Sequence, residues 1–180
     1  MSIDLNMVII EAKEAGFTEA AILDPETINL MPEVRDMCSA NTCGQYDKNW
    51  SCPPGCGTLE ECRENVSGFK RGIIVQTVGE LEDEWDFEGM VEIEKGHKKV
   101  FMKFADELRT KYGKILCLGD GPCAVCEECT FPEKPCRLPE KKVSAMEAYG
   151  ILVSDVCKKN GLGYYFGRCK VAFISCYLFE

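Results

Sequence analysis

The spacing of hydrophobic positions predicts four helices along the chain. Two of them open on capping boxes, in which Ser or Thr is followed three residues later by Glu, as in Thr58 with Glu61 and Ser144 with Glu147. The first helix follows the N-cap residue Asp4. The predicted helices cover residues 5–15, 58–67, 86–112 and 144–160.

Short runs rich in β-branched and aromatic residues lie between and after these helices and predict strands. The last two runs are close enough in sequence to form a C-terminal β-hairpin. The predicted strands cover residues 17–23, 72–78, 115–118, 163–166 and 171–178. Because strands and helices alternate, we expect residues 1–180 to form a single layered α/β domain with a mixed sheet.

Composition and charge narrow the class of protein. Of the 180 residues, 46% are hydrophobic and 28% are charged, which is typical of a globular domain and excludes disordered, collagen-like and coiled-coil chains. The sequence contains no apolar run near the roughly 20 residues that a membrane-spanning helix needs. The net charge of −9 repels phosphate backbones and argues against nucleic acid as a partner.

Cysteine is the abnormal component, with 13 residues. In a small secreted chain such a number would indicate a disulfide scaffold. Residues 1–17, however, mix acids and a lysine with apolar residues and do not show the basic start, apolar core and cleavage site of a signal peptide. We therefore expect a cytoplasmic protein whose cysteines bind metal or carry out redox chemistry.

The cysteines are concentrated in two segments that are also rich in Gly and Pro. Five lie in residues 38–62, the first cysteine loop, and five lie in residues 117–136, the second cysteine loop. Clustered Gly and Pro indicate loops, whereas structural cysteines usually lie on the apolar faces of helices and strands. The two cysteine loops are therefore the candidate sites.

The second cysteine loop carries the stronger motif, Cys123-x2-Cys126-x2-Cys129-x6-Cys136. Three cysteines at a period of three let one loop wrap a 4Fe–4S cluster, and a fourth thiolate comes from further along the chain. The spacing before Cys136 departs from the bacterial ferredoxin run, so Cys117 is the alternative fourth ligand. Zinc is the alternative metal, although structural zinc sites usually use two separated Cys-x2-Cys pairs.

The first cysteine loop supplies four more candidate ligands, Cys38, Cys43, Cys52 and Cys56. Their spacing matches no single zinc module, but four thiolates within 19 residues can close around one cluster. Pro53 and Pro54 stiffen the backbone after Cys52 and remove two N–H donors. Tyr46 and Trp50 could shield a cluster from water, and they could equally be ordinary core aromatics.

The other cysteines and the single histidine are interpreted as structural. Cys62 falls in a predicted helix, and Cys157, Cys169 and Cys176 have no ligand spacing, so all four are predicted to be buried. His97 lies among lysines on the long helix and is predicted to be a surface residue. The sequence contains no hydrolase elbow, Walker or Rossmann motif, so it identifies no catalytic residue.

With these motifs the chain resembles a family of small, cysteine-rich proteins of anaerobic bacteria and archaea that are described as predicted metal-binding proteins. The resemblance rests on Cys43-Gly-x-Tyr-x3-Trp-x-Cys52-Pro-Pro, Cys123-x2-Cys126-x2-Cys129-x6-Cys136-Arg-x-Pro and Ser144-x-Met-Glu147-Ala-Tyr-Gly150. It covers nearly the whole chain and implies metal binding.

A shorter resemblance concerns residues 160–167, Asn-Gly-Leu-Gly-Tyr-Tyr-Phe-Gly, which follow a predicted helix. This segment is similar to part of the cobalamin-dependent iron–sulfur reductases, such as epoxyqueuosine reductase and the reductive dehalogenases. That resemblance implies a corrinoid and a substrate, although this chain is far smaller than those enzymes.

The sequence therefore predicts an iron–sulfur protein with one or two 4Fe–4S clusters, the first in the second cysteine loop and the second, if present, in the first cysteine loop. Its expected role is electron transfer, or that of a redox auxiliary to a partner protein whose basic surface docks on the acidic residues 80–94. If only three cysteines bind a cluster, its open iron could act as a Lewis acid and the protein would be an enzyme. A zinc-stabilised binding module is the alternative from another class.

Overall fold

The computed structural model describes residues 3–180 and is built around one sheet of five strands. The strands are β1 (Glu19–Leu23), β2 (Arg71–Glu80), β3 (Ile115–Gly119), β4 (Ser144–Ala145) and β5 (Lys170–Phe179). They lie in the order β1-β2-β5-β3-β4, in which β3 and β4 are parallel and all other neighbours are antiparallel. The predicted α/β fold with a mixed sheet is confirmed.

Helices cover both faces of this sheet. They are α1 (Leu5–Ala15), α2 (Pro32–Met37), α3 (Leu59–Ser67), α4 (Phe87–Tyr112) and α5 (Val153–Lys159). Asp4 caps α1 by accepting the N–H groups of Asn6 and Met7, and Thr58 and Glu61 form the predicted capping box of α3. No helix within residues 3–180 is both long enough and apolar enough to span a membrane.

Alternation along the two central strands divides the interior into two cores. Ile73 and Val75 of β2 point to α1 and α4, whereas Ile74 points to α3 and α5. The core between the sheet and helices α3 and α5 also holds the buried side chains of Cys62, Cys157 and Cys176, as predicted. Cys169, predicted to be buried, is exposed because it lies just before β5, outside the covered part of the sheet.

The predicted C-terminal hairpin is wrong. Residues 163–166 form an open loop, and β5 is the central strand, paired with β2 on one edge and β3 on the other. A hairpin partner would need one of those two edges, and both are already hydrogen-bonded. The pairing of β5 is therefore long-range in sequence and does not depend on a local turn.

The predicted helix over residues 144–160 is divided. Ser144–Ala145 pairs with β3 as a strand, and α5 begins only at Val153. Between them Gly150 has a φ of +78°, and a Cβ there would lie 2.7 Å from the carbonyl oxygen of Met31. This left-handed glycine turns the chain where a continuous helix would run.

His97 is fully buried, not at the surface as predicted. It lies on the sheet-facing side of α4, where Thr77 Oγ1 is 2.8 Å from its Nδ1 and Ser175 Oγ is 2.8 Å from its Nε2. Burial, together with the charge of Lys98, lowers the pKa of His97 to about 4. The imidazole is therefore a neutral core residue that satisfies two buried hydroxyls.

This histidine makes stability depend on pH. In the unfolded chain His97 takes up a proton below its ordinary pKa of 6.5, whereas in the folded chain it stays neutral down to about pH 4. Stability should therefore fall by about 3 kcal/mol as pH drops from 7 to 4, at roughly 1.4 kcal/mol per pKa unit. Urea unfolding of the wild type and of His97→Gln, which does not titrate, isolates this contribution. Equal pH slopes for the two chains would contradict it.

Candidate metal centre

The two cysteine loops lie against each other beyond the end of β3. The indole Nε1 of Trp50 donates to the carbonyl oxygen of Lys134 at 3.0 Å, and the Trp50 ring packs edge-on against Phe131 with centroids 4.9 Å apart. Gly55 lies so close to Asn49 O and the Phe131 ring that a Cβ there would overlap both. The absence of a side chain at Gly55 thus permits close packing of the two loops.

A buried serine joins the loops through the backbone. Ser51 is fully buried, accepts the N–H of Cys123 on its Oγ at 2.9 Å and donates to Asn49 Oδ1 at 2.6 Å. Asn49, itself 6% exposed, also accepts the N–H of Ser51 at 3.0 Å. Sequence reasoning missed both residues, because a Ser and an Asn in a polar loop carry no pattern that marks them as buried.

The first cavity, of about 30 Å³, is lined by all four cysteines of the strongest motif, Cys123, Cys126, Cys129 and Cys136. Trp50 and Ser51 of the first cysteine loop form its opposite wall. Arg137 and Lys142 also line it. Of the two interpretations of Trp50, the structure favours a cavity wall over a core residue.

Cys117 does not lie with this group. Its side chain is 2% exposed in the core under α1 and α4, and the nearest charged group is the Arg109 guanidinium, whose Nη2 lies 3.6 Å from its Sγ. Burial raises the pKa of Cys117 to about 12. Cys136, not Cys117, therefore shares a cavity with the other three cysteines of the motif.

The second cavity, of about 310 Å³, is lined by three cysteines of the first cysteine loop, Cys38, Cys43 and Cys52. Tyr46 and three carboxylates, Glu94, Asp120 and Glu147, also line it. Burial raises the pKa of Asp120 to about 6 and also raises the pKa of Glu147. The pKa values of Cys38 and Cys52 are raised as well, first by burial and then by neighbouring thiols.

The two cavities are neighbours. Ser51 and Cys123 line the first, whereas the adjacent residues Cys52 and Pro122 line the second. Because each pair is consecutive in sequence, the same two backbone segments separate the cavities. The fold thus places seven of the eight candidate ligands around two adjoining hollows.

Cys56, the eighth candidate, does not line either cavity. Its thiol lies 3.7 Å from the carbonyl oxygen of Ala148, and the thiol of Cys62 lies 3.9 Å from the carbonyl oxygen of Cys56. Cys62 was predicted only to be buried, and its contact with Cys56 was not foreseen.

The arrangement of donors bears on the kind of metal. Among residues 3–180, no three His, Cys, Asp or Glu side chains converge closely enough to hold a single metal ion. Structural zinc needs four ligands at about 2.0–2.3 Å from one ion. In a 4Fe–4S cluster each thiolate binds a different iron, so the sulfurs surround a hollow instead of meeting at one point. The four thiols of the strongest motif line one cavity.

The acidic stretch of residues 80–94 is partly neutralised. Glu80, Glu84, Glu92 and Glu94 form ion pairs with Lys170, Arg168, Lys95 and Lys98. Asp86 caps α4 by accepting the N–H of Gly89, which lowers the pKa of its carboxyl group. Ion pairs and the capping of α4 therefore account for most of these acids.

Comparison with known proteins gives one match. A family model described as "Predicted metal-binding protein (DUF2284)" matches residues 21–179. No curated protein and no solved structure matches the chain significantly.

Proposed function

The chain belongs to this family of predicted metal-binding proteins, and from that premise we propose that the metal is iron, held as 4Fe–4S clusters. The observation that carries the proposal is the first cavity, around which one short motif arranges four thiols. Thiolates are the ligands that iron–sulfur clusters take in proteins.

The first centre would be held by Cys123, Cys126, Cys129 and Cys136. Trp50 covers one side, and Arg137 and Lys142 offset the negative charge of four thiolates. Cys129 is exposed, so this centre meets solvent on one side.

The second centre would be held by Cys38, Cys43 and Cys52. We leave Cys56 out of the set, because it lines neither cavity. Glu94, Asp120 and Glu147 face the same cavity and offer carboxylate oxygen as a fourth donor. With three thiolates and one exchangeable ligand, this centre could bind a small molecule in addition to transferring electrons.

The role that these two centres support is electron transfer. Bound clusters would supply one-electron redox chemistry, and the shared wall of Ser51–Cys52 and Pro122–Cys123 would keep the two centres close. The chain's own contribution is to fix the spacing, to limit water through Trp50, and to present the acidic residues 80–94 near the second cavity, which Glu94 lines. Those acids would attract a redox partner with a basic surface.

Anaerobic purification followed by iron, sulfide and zinc analysis tests the proposal. Two clusters predict roughly eight iron and eight sulfide per chain, and one cluster predicts roughly four of each. The protein should be brown. A colourless protein that holds stoichiometric zinc and no sulfide would overturn the assignment in favour of a zinc-stabilised module.

The corrinoid alternative is tested on the same sample. Residues 160–167, which carry that resemblance, form a loop in which Tyr164 and Tyr165 are exposed. Cobalamin added to the anaerobic protein should leave the corrin spectrum unchanged if the protein is an electron carrier. A spectral shift at stoichiometric cobalamin would instead favour a small reductase.

A further inference from the structure

A third cavity, of about 270 Å³, adjoins the first cavity and is lined by none of the eight candidate ligands. Its wall is built by side chains of α3, α4 and β3 and of residues 139–149. Lys142 lines both the third cavity and the first, so one lysine side chain links the two. We call the third cavity the basic cavity, because three of its lining side chains, Arg109, Lys114 and Lys142, are cations.

The charge of the basic cavity is opposite to that of the whole chain, which carries a net charge of −9. Glu140 is the one carboxylate among the residues that line the cavity. Lys114 pairs with Glu180 at 2.6 Å, but both side chains are exposed, and exposed ion pairs are weak. Lys142 forms no ion pair within residues 3–180. At least one lysine charge is therefore available to an anion in the cavity.

The arginine of the basic cavity has an unpaired donor. The Arg109 side chain is 16% exposed, its Nη1 donates to Asp106 Oδ1 at 3.1 Å, and its Nη2 lies 3.6 Å from Cys117 Sγ. Its Nε is buried and has no hydrogen-bond partner in the described part of the chain. A buried, unpaired donor on a charged group costs free energy, and a bound acceptor would remove that cost.

Uncharged donors line the same cavity. Ser144 and Tyr149 are 3% and 5% exposed, and both contribute to the wall. The hydroxyl oxygen of Tyr149 accepts a hydrogen bond from Asn65 Nδ2 at 2.9 Å, which leaves the tyrosine O–H to donate to another group. A wall with several donors and one carboxylate suits a ligand that accepts many hydrogen bonds and donates few.

We propose that the basic cavity binds the phosphate group of a small phosphomonoester. A phosphate dianion offers more acceptor oxygens than a carboxylate, and a guanidinium beside lysines suits its geometry and charge. Ligand pockets usually measure roughly 300–1,000 Å³, so the organic part of the ester must be small. The apolar part of the wall that would contact it is formed by Phe69, Ile115, Leu116 and Pro139. The site lies beyond the proposed function and does not depend on which metal the first cavity takes.

Isothermal titration calorimetry of the anaerobically purified protein tests this site with phenyl phosphate, inorganic phosphate and benzoate at one ionic strength. Phenyl phosphate should show saturable binding at a single site and should bind more tightly than the other two probes. Its ring adds apolar contacts that inorganic phosphate lacks, and its phosphate adds acceptors that benzoate lacks. Tighter binding of inorganic phosphate would overturn the ester assignment. Equal or tighter binding of benzoate, or no saturable binding of any probe, would overturn phosphate recognition.

Variants locate the bound phosphate. Lys142→Gln should weaken phenyl phosphate binding roughly tenfold, because it removes a charge-assisted hydrogen bond. Tyr149→Phe should weaken it roughly threefold through the loss of one neutral hydrogen bond, and Tyr149 does not line the first cavity. Lys99→Gln is the matched control, since Lys99 is exposed on α4 and does not line the basic cavity. Wild-type affinity in both Lys142→Gln and Tyr149→Phe would place the ligand elsewhere and overturn the proposal.

Discussion

Replacing Cys126 with serine should remove one cluster's worth of iron and sulfide and leave the other centre loaded. Cys126 is the middle cysteine of the motif and lines the first cavity, whereas the second cavity is lined by a separate set of thiols. A hydroxyl is a much poorer iron ligand than a thiolate. The expected result is a loss of roughly four iron per chain out of eight, measured by metal and sulfide analysis of anaerobic protein.

The matched control is Cys169→Ser. Cys169 is exposed and lines neither cavity, so this variant should keep its full iron content. Cys126→Ser should also keep its fold, because Cys126 lies in a loop outside both cores. If Cys126→Ser retains all its iron, the strongest motif does not hold a cluster and the proposed function fails.

The success and failure of fold prediction for this chain have a common physical origin. The Asp4 cap, the capping box of α3 and the apolar stripes that predict α1, α3 and α4 are local, and the structure has those helices. The second capping box, Ser144 with Glu147, does not begin a helix, because Ser144–Ala145 pairs with the distant strand β3. The pairing of β5 is not local, because its neighbours β2 and β3 are distant in sequence. A run of apolar residues predicts that a strand is buried, but it cannot say which strands flank it.

The burial of polar side chains is also hard to predict from the sequence, as His97 shows. The lysines around His97 predict a surface position, yet α4 turns the side chain of His97 toward the sheet, where it is fully buried. A polar side chain can be buried wherever partners exist, and Thr77 and Ser175 supply them from two different strands. Such partners are set by tertiary structure, so no window of sequence around His97 contains the information.

In the candidate site too, local features can be predicted from the sequence and those set by tertiary packing cannot. The grouping of Cys123, Cys126 and Cys129 follows from spacing alone, since one short loop must bring them together. That Cys56 lines neither cavity, and that Cys62 lies against Arg35 of α2, depends on tertiary packing. Cysteine spacing therefore locates the loops, and the packing of the helices decides which cysteine joins which group.

Ser51 binds no metal, but it joins the two cysteine loops through hydrogen bonds. Ser51 Oγ is the partner of the Cys123 N–H, and its own N–H and O–H both go to Asn49. If the two centres exist, their relative position depends on this buried network as much as on the thiols. A change at Ser51 should therefore affect the metal centres without removing a ligand.

Ser51→Ala should destabilise the protein by about 1–3 kcal/mol, because it leaves the buried N–H of Cys123 without a partner. It should also speed the loss of iron to a chelator, since Cys123 and Cys52 lie on either side of the serine. Urea unfolding and the rate of iron release measure the two effects. Ser67→Ala, which removes an exposed hydroxyl bonded only to Glu64 O, is the matched control and should change neither.

The double variant Asn49→Ala/Ser51→Ala supplies the sharper test. Both side chains belong to one hydrogen-bonded network, so their costs should not add, and the double variant should be little worse than the poorer single variant. Strict additivity would mean that the two residues act independently. A Ser51→Ala chain that releases iron at the wild-type rate would show that the contact between the loops does not position the metal ligands.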